Sequence, residues 1–182
     1  IPFTLNKDYS EELEVETFLE KTVNHEHIYD YNSPKESIKK APTPFTTSTL
    51  QQSSSNEFKL SPKATMKACQ TLYEGGFITY MRTDSTTYSE EFIEKMKKYI
   101  EKSYSNEYVR TDIQQLCIRN DKDTNAQEAH EAIRPTNVEL ENVSKELGNN
   151  EYRVYKLIRR NTLESCMPPA KYSVIKAYIS AP

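Results

Sequence analysis

Apolar residues recur along this chain with two different spacings, and each spacing predicts a different kind of element. From Ser10 to about Lys21 the anchors Leu13, Phe18 and Leu19 predict a first helix, with Ser10 as its cap. Val23 to Tyr31 (VNHEHIYDY) alternates apolar or aromatic with polar positions and predicts a strand, with His25 and His27 on one face and Glu26 on the other. Residues 32–44 hold Pro34, Pro42 and Pro44 among lysines, a linker composition, and a domain boundary is expected there. The hydroxyl-rich start Phe45-Thr46-Thr47-Ser48-Thr49 offers N-caps for a short helix reaching about Asn56. A better-marked helix follows, with Ser61 as cap, Pro62 at its first position, a stripe of Ala64, Ala68 and Leu72, and Gly75 as terminator.

Gly75-Gly76 leads into a short apolar run, Phe77-Ile78-Thr79-Tyr80-Met81-Arg82. Read as extended chain, it sends Phe77, Thr79 and Met81 one way and Ile78, Tyr80 and Arg82 the other. Tyr80 and Arg82 then sit roughly 7 Å apart at about 3.3 Å per residue, a span that one phosphate can bridge. Thr83-Asp84-Ser85 forms a polar turn able to cap the next helix. That helix has a second candidate cap in Ser89, acidic residues in its first turn, lysines in its last turns, and Phe92, Met96 and Ile100 as a core stripe. Residues 103–124 read as a loop with one short element near Ile113 to Ile118. Asn125 to Thr136 is alanine-rich and predicts a helix ended by Pro135, with Gln127, His130 and Arg134 on one face.

A longer helix is expected from about Asn150 to Met167, burying Val154, Tyr155, Ile158, Thr162 and Cys166 beneath a basic stretch of Arg153, Lys156, Arg159 and Arg160. Lys171 to Ser180 predicts a strand joining a sheet whose other strands lie elsewhere. The fold class is therefore α+β, mainly α. A helical, winged-helix-like domain is expected over 45–167, flanked by 1–44 (helix, strand and linker) and by a returning strand at 168–182.

Composition narrows this picture. With 36% hydrophobic residues, no Trp and a mean hydropathy of −0.82, the core is expected to be thin or divided. The net charge of −3 argues against an indiscriminate nucleic-acid binder. Three widely separated cysteines, in no ligand spacing, predict free thiols and a reducing compartment. No metal site, membrane span or signal peptide is predicted, and the chain, which opens at Ile1, reads as part of a longer, intracellular protein.

Only one grouping carries chemistry. A tyrosine attacks covalently as its phenolate, which an ordinary phenol with a pKa of about 10 hardly populates at neutral pH. A neighbouring cation favours the anion, and Arg82 can also grip a phosphate in forked geometry. His130 and Arg134 can reach the same phosphate from a second element. A chain with 13 tyrosines nonetheless uses most of them for packing, so spacing alone leaves both readings open. The histidine pair likewise reads either as solvated strand residues or as a metal pair.

Three motifs, Ala41–Gln52 (APTPFTTSTLQQ), Gly75–Thr86 (GGFITYMRTDST) and Ala126–Thr136 (AQEAHEAIRPT), closely resemble type IA DNA topoisomerases of the bacterial topoisomerase I branch. Met81 fits that branch better than the topoisomerase III branch, which usually has proline there. The resemblance implies that Tyr80 is the nucleophile forming a 5′-phosphotyrosyl link to DNA, assisted by Arg82. It implies that His130 contacts phosphate, with Arg134, Gln127, Thr83, Asp84, Ser85 and Gln51 as further DNA contacts. It also implies that Thr46 to Gln52 form a hinge where a tyrosine domain leaves the β arch. No DxDxEG-type acidic run is present, so Mg²⁺ is expected only in the parent enzyme, through a toprim domain not contained here. Lys59-Leu60 stands where many relatives have Gly-Phe, after the insert Ser53 to Phe58. The expected function is part of an enzyme that cleaves and religates one DNA strand to relax negative supercoils, in the cytoplasm or nucleoid. Single-stranded DNA and the missing toprim and arch segments are its expected partners, with the chain itself monomeric, off the membrane and inactive alone. The alternative is a non-catalytic module that binds single-stranded DNA.

Overall fold

The computed structural model describes residues 2–117 and 130–182. Two compact units emerge, one made of residues 1–39 with 171–182 and the other of residues 40–170. The α+β, mainly helical class holds, with helices α1 (Glu12–Thr22), α2 (Thr47–Phe58), α3 (Pro62–Glu74), α4 (Glu90–Ser103) and α5 (Asn149–Ser165). The strands β1 (Tyr29–Tyr31), β2 (Lys35–Lys39), β3 (Ala170–Val174) and β4 (Ala177–Ile179) are short.

In the first unit the sequence reading needs correcting. Helix α1 starts at Glu12 and no side chain caps it, so Ser10 is not its cap. Only Tyr29–Tyr31 of the expected 23–31 strand forms, because its antiparallel partner β4 offers three residues, Tyr29 facing Ile179 and Tyr31 facing Ala177. His25 and His27 do lie side by side, ring centroids 4.9 Å apart, and both bond to Ser180. The expected linker 32–44 contains β2, which pairs with β3. The tail is therefore two strands, broken at Ile175-Lys176, and its partners come from this chain. Strand pairing is a tertiary event, and no local composition encodes it.

The second unit holds every buried apolar side chain among the described residues. Its helix ends follow from side-chain chemistry. Thr46 and Thr49 form a reciprocal capping box on α2, Ser61 caps α3 with Pro62 behind it, and Ser89, rather than the Thr83–Ser85 turn, caps α4. Helix α2 closes on Lys59 at φ 60°, whose N–H bonds to Ser54 and Ser55 carbonyls. A lysine thus occupies a left-handed position where glycine would cost less, by about 1 kcal/mol.

The core divides in two, as the thin composition suggested. One cluster packs α2, α3 and α5 through Leu50, Leu72, Val154 and Ile158 around Ile78, Met81 and Ile133. The other gathers Phe92, Ile93, Met96 and Ile100 of α4 with Tyr88, Ile113, Leu163 and Cys166. Each such aliphatic or aromatic side chain contributes about 1.5–3 kcal/mol by leaving water. All three cysteines are free, and burial pushes the Cys69 thiol up to about 12 and the Cys166 thiol up to about 11. The expected loop beyond α4 contains 3-10 turns at Asn106–Tyr108 and Ile113–Leu116.

Candidate active site

The turn after α3 decides where Tyr80 goes. Gly76 sits at φ 73°, a left-handed position that glycine takes without cost. Its N–H bonds to the Tyr73 carbonyl, and the N–H of Phe77 bonds to that of Leu72, which closes the helix as a Schellman motif. At Gly75 an added Cβ would lie 2.7 Å from the Phe77 ring, which would have to shift. The chain is thereby reversed and leaves as an extended segment.

That segment is stitched along both flanks. Thr79 N–H bonds to the Arg134 carbonyl at 2.9 Å, and Thr136 N–H bonds to the Phe77 carbonyl at 3.0 Å. The Thr79 hydroxyl donates to the Ala132 carbonyl at 2.9 Å and accepts from the Arg134 N–H at 3.0 Å. On the other flank the Thr47 hydroxyl, at the first position of α2, donates to the Met81 carbonyl at 2.7 Å and accepts from the Thr83 N–H at 3.0 Å. These bonds bracket Tyr80 and Arg82 in the backbone.

Strict alternation fails at one point. Ile78 and Met81 are both buried, so the faces switch between Ile78 and Tyr80, at the residue whose hydroxyl is tied to 132–134. From Tyr80 onward the expected pattern returns, with Tyr80 and Arg82 exposed and Met81 and Thr83 inside. Tyr80 is 38% exposed, and its hydroxyl has no protein partner among the described residues. Arg82 forms no ion pair among them either. Beside the Tyr80 ring lies His130, with centroids 5.8 Å apart and planes at 43°. Tyr73 is a second ring neighbour of Tyr80, at 5.3 Å and 67°.

The expected helix over Asn125–Thr136 is not found in its described part. His130 to Thr136 is extended, because its backbone groups are taken by other segments: Ala132 N–H by the Thr87 carbonyl and Ile133 N–H by the Phe45 carbonyl. Gln127 lies outside the described residues. The helical face proposed for His130 and Arg134 therefore does not exist. His130 is exposed beside Tyr80, whereas Arg134 turns inward, 4.1 Å above the Phe92 ring, and pairs with Glu131 and the Pro135 carbonyl. Burial raises the Glu131 carboxyl, but hydrogen bonds from Arg134 and Ser89 outweigh it and leave the group below the usual carboxylate range.

Thr83 is buried and accepts from the Ser85 N–H, Ser85 bonds to Thr87, Asp84 is exposed, and Gln51 is half-buried on α2. The other tyrosines separate by environment. Tyr88 is fully buried against Ser165, and burial raises its phenol. Tyr155 donates to the Leu140 carbonyl, and burial pushes it up to about 12. Both shifts run opposite to what a nucleophile needs. Sequence reasoning missed the Thr79 latch and placed Thr47 only among candidate caps and within the hinge, without its bonds to Met81 and Thr83. Thr79→Val keeps the shape and removes the hydroxyl latch. It is expected to lower stability by about 1–3 kcal/mol, read as a shifted denaturant midpoint, because the Ala132 carbonyl and Arg134 N–H lose a partner.

Comparison with known proteins agrees along nearly the whole chain. Residues 3–181 match the family described as DNA topoisomerase. The chain is 40% identical over 167 residues to the prokaryotic-type DNA topoisomerase 1 of Acanthamoeba polyphaga mimivirus, covering 91% of this chain and 19% of that protein. It is 42% identical over 171 residues to DNA topoisomerase 1 of Buchnera aphidicola, covering 93% and 19%. For DNA topoisomerase 1 of Escherichia coli the identity is 40% over 139 residues, covering 76% and 16%. The full-length topoisomerase I of Thermotoga maritima superposes with a TM-score of 0.59 at 28% identity, over 98% of this chain and 32% of that one. The chain thus spans at most about a fifth of these curated relatives.

Proposed function

Because this chain belongs to the bacterial DNA topoisomerase I family of isomerases, we propose that it supplies the nucleophile half of a type IA active site. Tyr80 gives up its phenolic proton and attacks a DNA phosphorus. A 5′-phosphotyrosyl bond forms, the bond to the 3′-oxygen breaks, and that oxygen leaves with a proton. Reversal reseals the strand, and because the ester retains the bond energy no ATP is needed. Arg82 binds the phosphate under attack, and His130 contacts the same group. The single observation supporting this reading is the placement of Tyr80, exposed and beside His130, on a segment stitched by Thr79 and Thr47.

Mg²⁺ does not fit this part of the site. Among the described residues the rings beside Tyr80 are those of Tyr73 and His130, whereas Mg²⁺ prefers carboxylate, phosphate and water oxygens. Among the described residues no group of three or more His, Cys, Asp or Glu is placed to hold a metal. None of the steps above runs through it. No helix among them is long and apolar enough to cross a membrane. The reading assigns the protein to the compartment that holds DNA, with single-stranded DNA as substrate and the rest of the enzyme as partner.

End-labelled oligonucleotides test it. With the complete enzyme, a 3′-label is expected to stay with the protein in denaturing gels and a 5′-label to be released. The opposite pattern overturns the assigned polarity. This chain alone is expected not to relax a negatively supercoiled plasmid, and strong Mg²⁺-dependent relaxation by it would sink that part of the proposal.

A further inference from the structure

Tyr73 stands apart from the other side chains of α3. The inward stripe of that helix, Thr65, Ala68, Cys69 and Leu72, is buried, whereas Tyr73 in its last turn is 41% exposed and belongs to neither core cluster. Among the described residues its one aromatic neighbour is Tyr80, met edge to face at 5.3 Å and 67°. The contact is created by the turn. Gly76 and Phe77 close the helix onto the Tyr73 and Leu72 carbonyls, and this brings two residues seven positions apart into contact.

We propose that Tyr73 is a positioning residue for Tyr80, its ring contact holding the phenol in the orientation that keeps it beside His130. This rests on the reading of Tyr80 as nucleophile. An exposed tyrosine with no partner for its hydroxyl otherwise samples several staggered side-chain wells, and most of them aim its oxygen away from a phosphate fixed by Arg82 and His130. An edge-to-face aromatic contact favours one well by about 2- to 12-fold. With the Tyr73 and His130 rings both in contact range, the Tyr80 ring is held without being buried, and its 38% exposure keeps it open to DNA. Buried tyrosines are held by hydrogen bonds to their oxygens, which this residue must keep free.

The ring, not the hydroxyl, does this. In the complete enzyme Tyr73→Phe is expected to cleave a single-stranded oligonucleotide within about twofold of wild type. Tyr73→Ala is expected to lower the cleavage rate on saturating DNA about fivefold, with affinity for DNA and thermal midpoint nearly unchanged. Wild-type cleavage by Tyr73→Ala overturns the proposal. So does weaker DNA binding with an unchanged rate on bound DNA, which makes Tyr73 a base-stacking residue, and so does an equal defect in Tyr73→Phe. A second readout does not depend on chemistry. In this chain, nuclear Overhauser contacts between the Tyr80 and His130 rings are expected to persist in Tyr73→Phe and fade in Tyr73→Ala. Their persistence in Tyr73→Ala refutes the positioning role. If Tyr80→Phe leaves cleavage intact, the nucleophile assignment fails separately, and the ring contacts still decide whether Tyr73 orients Tyr80.

Discussion

Tyr80→Phe in the complete enzyme is expected to eliminate the covalent protein–DNA product and to lower strand cleavage by about four orders of magnitude or more. The size of the effect follows from what is removed. Phenylalanine keeps the ring and with it the contacts to Tyr73 and His130, but it has no oxygen to bond to phosphorus. Because the lost hydroxyl has no protein partner among the described residues and the side chain is 38% exposed, stability should stay within about 0.5 kcal/mol of wild type. A chemical defect without a folding defect is thus the expected signature. Tyr155→Phe should behave in the opposite way, since its hydroxyl donates to the Leu140 carbonyl inside the fold. If Tyr80→Phe still captures 3′-labelled DNA, another residue is the nucleophile.

Arg134→Ala carries the second large effect, and it is on stability. The guanidinium lies over the Phe92 ring and pairs with Glu131, and the two side chains are only 14% and 19% exposed. Removing it uncovers the ring and leaves a mostly buried carboxylate without its cation. The expected loss is about 2–4 kcal/mol, less than for a fully buried pair because both groups retain some solvent. A thermal midpoint lowered by roughly 10 °C checks it. Adding Glu131→Gln should recover part of the loss, since the stranded charge is then gone. The pH dependence has a definite sign. The folded carboxyl of Glu131 is depressed, so its stabilisation is present above the ordinary carboxylate range and is lost as pH falls through the folded value. The variant should show a flatter acid limb. An Arg134 that gripped DNA would instead leave the melt unchanged and reduce the salt dependence of binding by about one counterion.

These two residues also mark how far the chain could be read in advance. Tyr80 and Arg82 share an exposed face as their spacing suggested, because period-two geometry is local and survives once the segment is extended. His130 and Arg134 were read as one helical face on alanine content, and that face is not formed. Residues 130–136 give their backbone hydrogen bonds to Phe45, Phe77, Thr79 and Thr87, and these distant partners override helix propensity. Ile78 shows the same limit on a smaller scale, since a single tied hydroxyl at Thr79 rotates it into the core.

The amino-acid sequence by itself determined helices α2 to α5 of the larger unit, the caps at Ser61 and Ser89, the α+β class and the family. These rest on short-range rules or on contiguous motifs. Tertiary structure alone decided which strands pair, that the His130 and Tyr73 rings lie near Tyr80, and that Arg134 turns inward to Glu131 and Phe92. Each of these depends on backbone groups far apart in the chain finding one another, and a local pattern does not encode its partner.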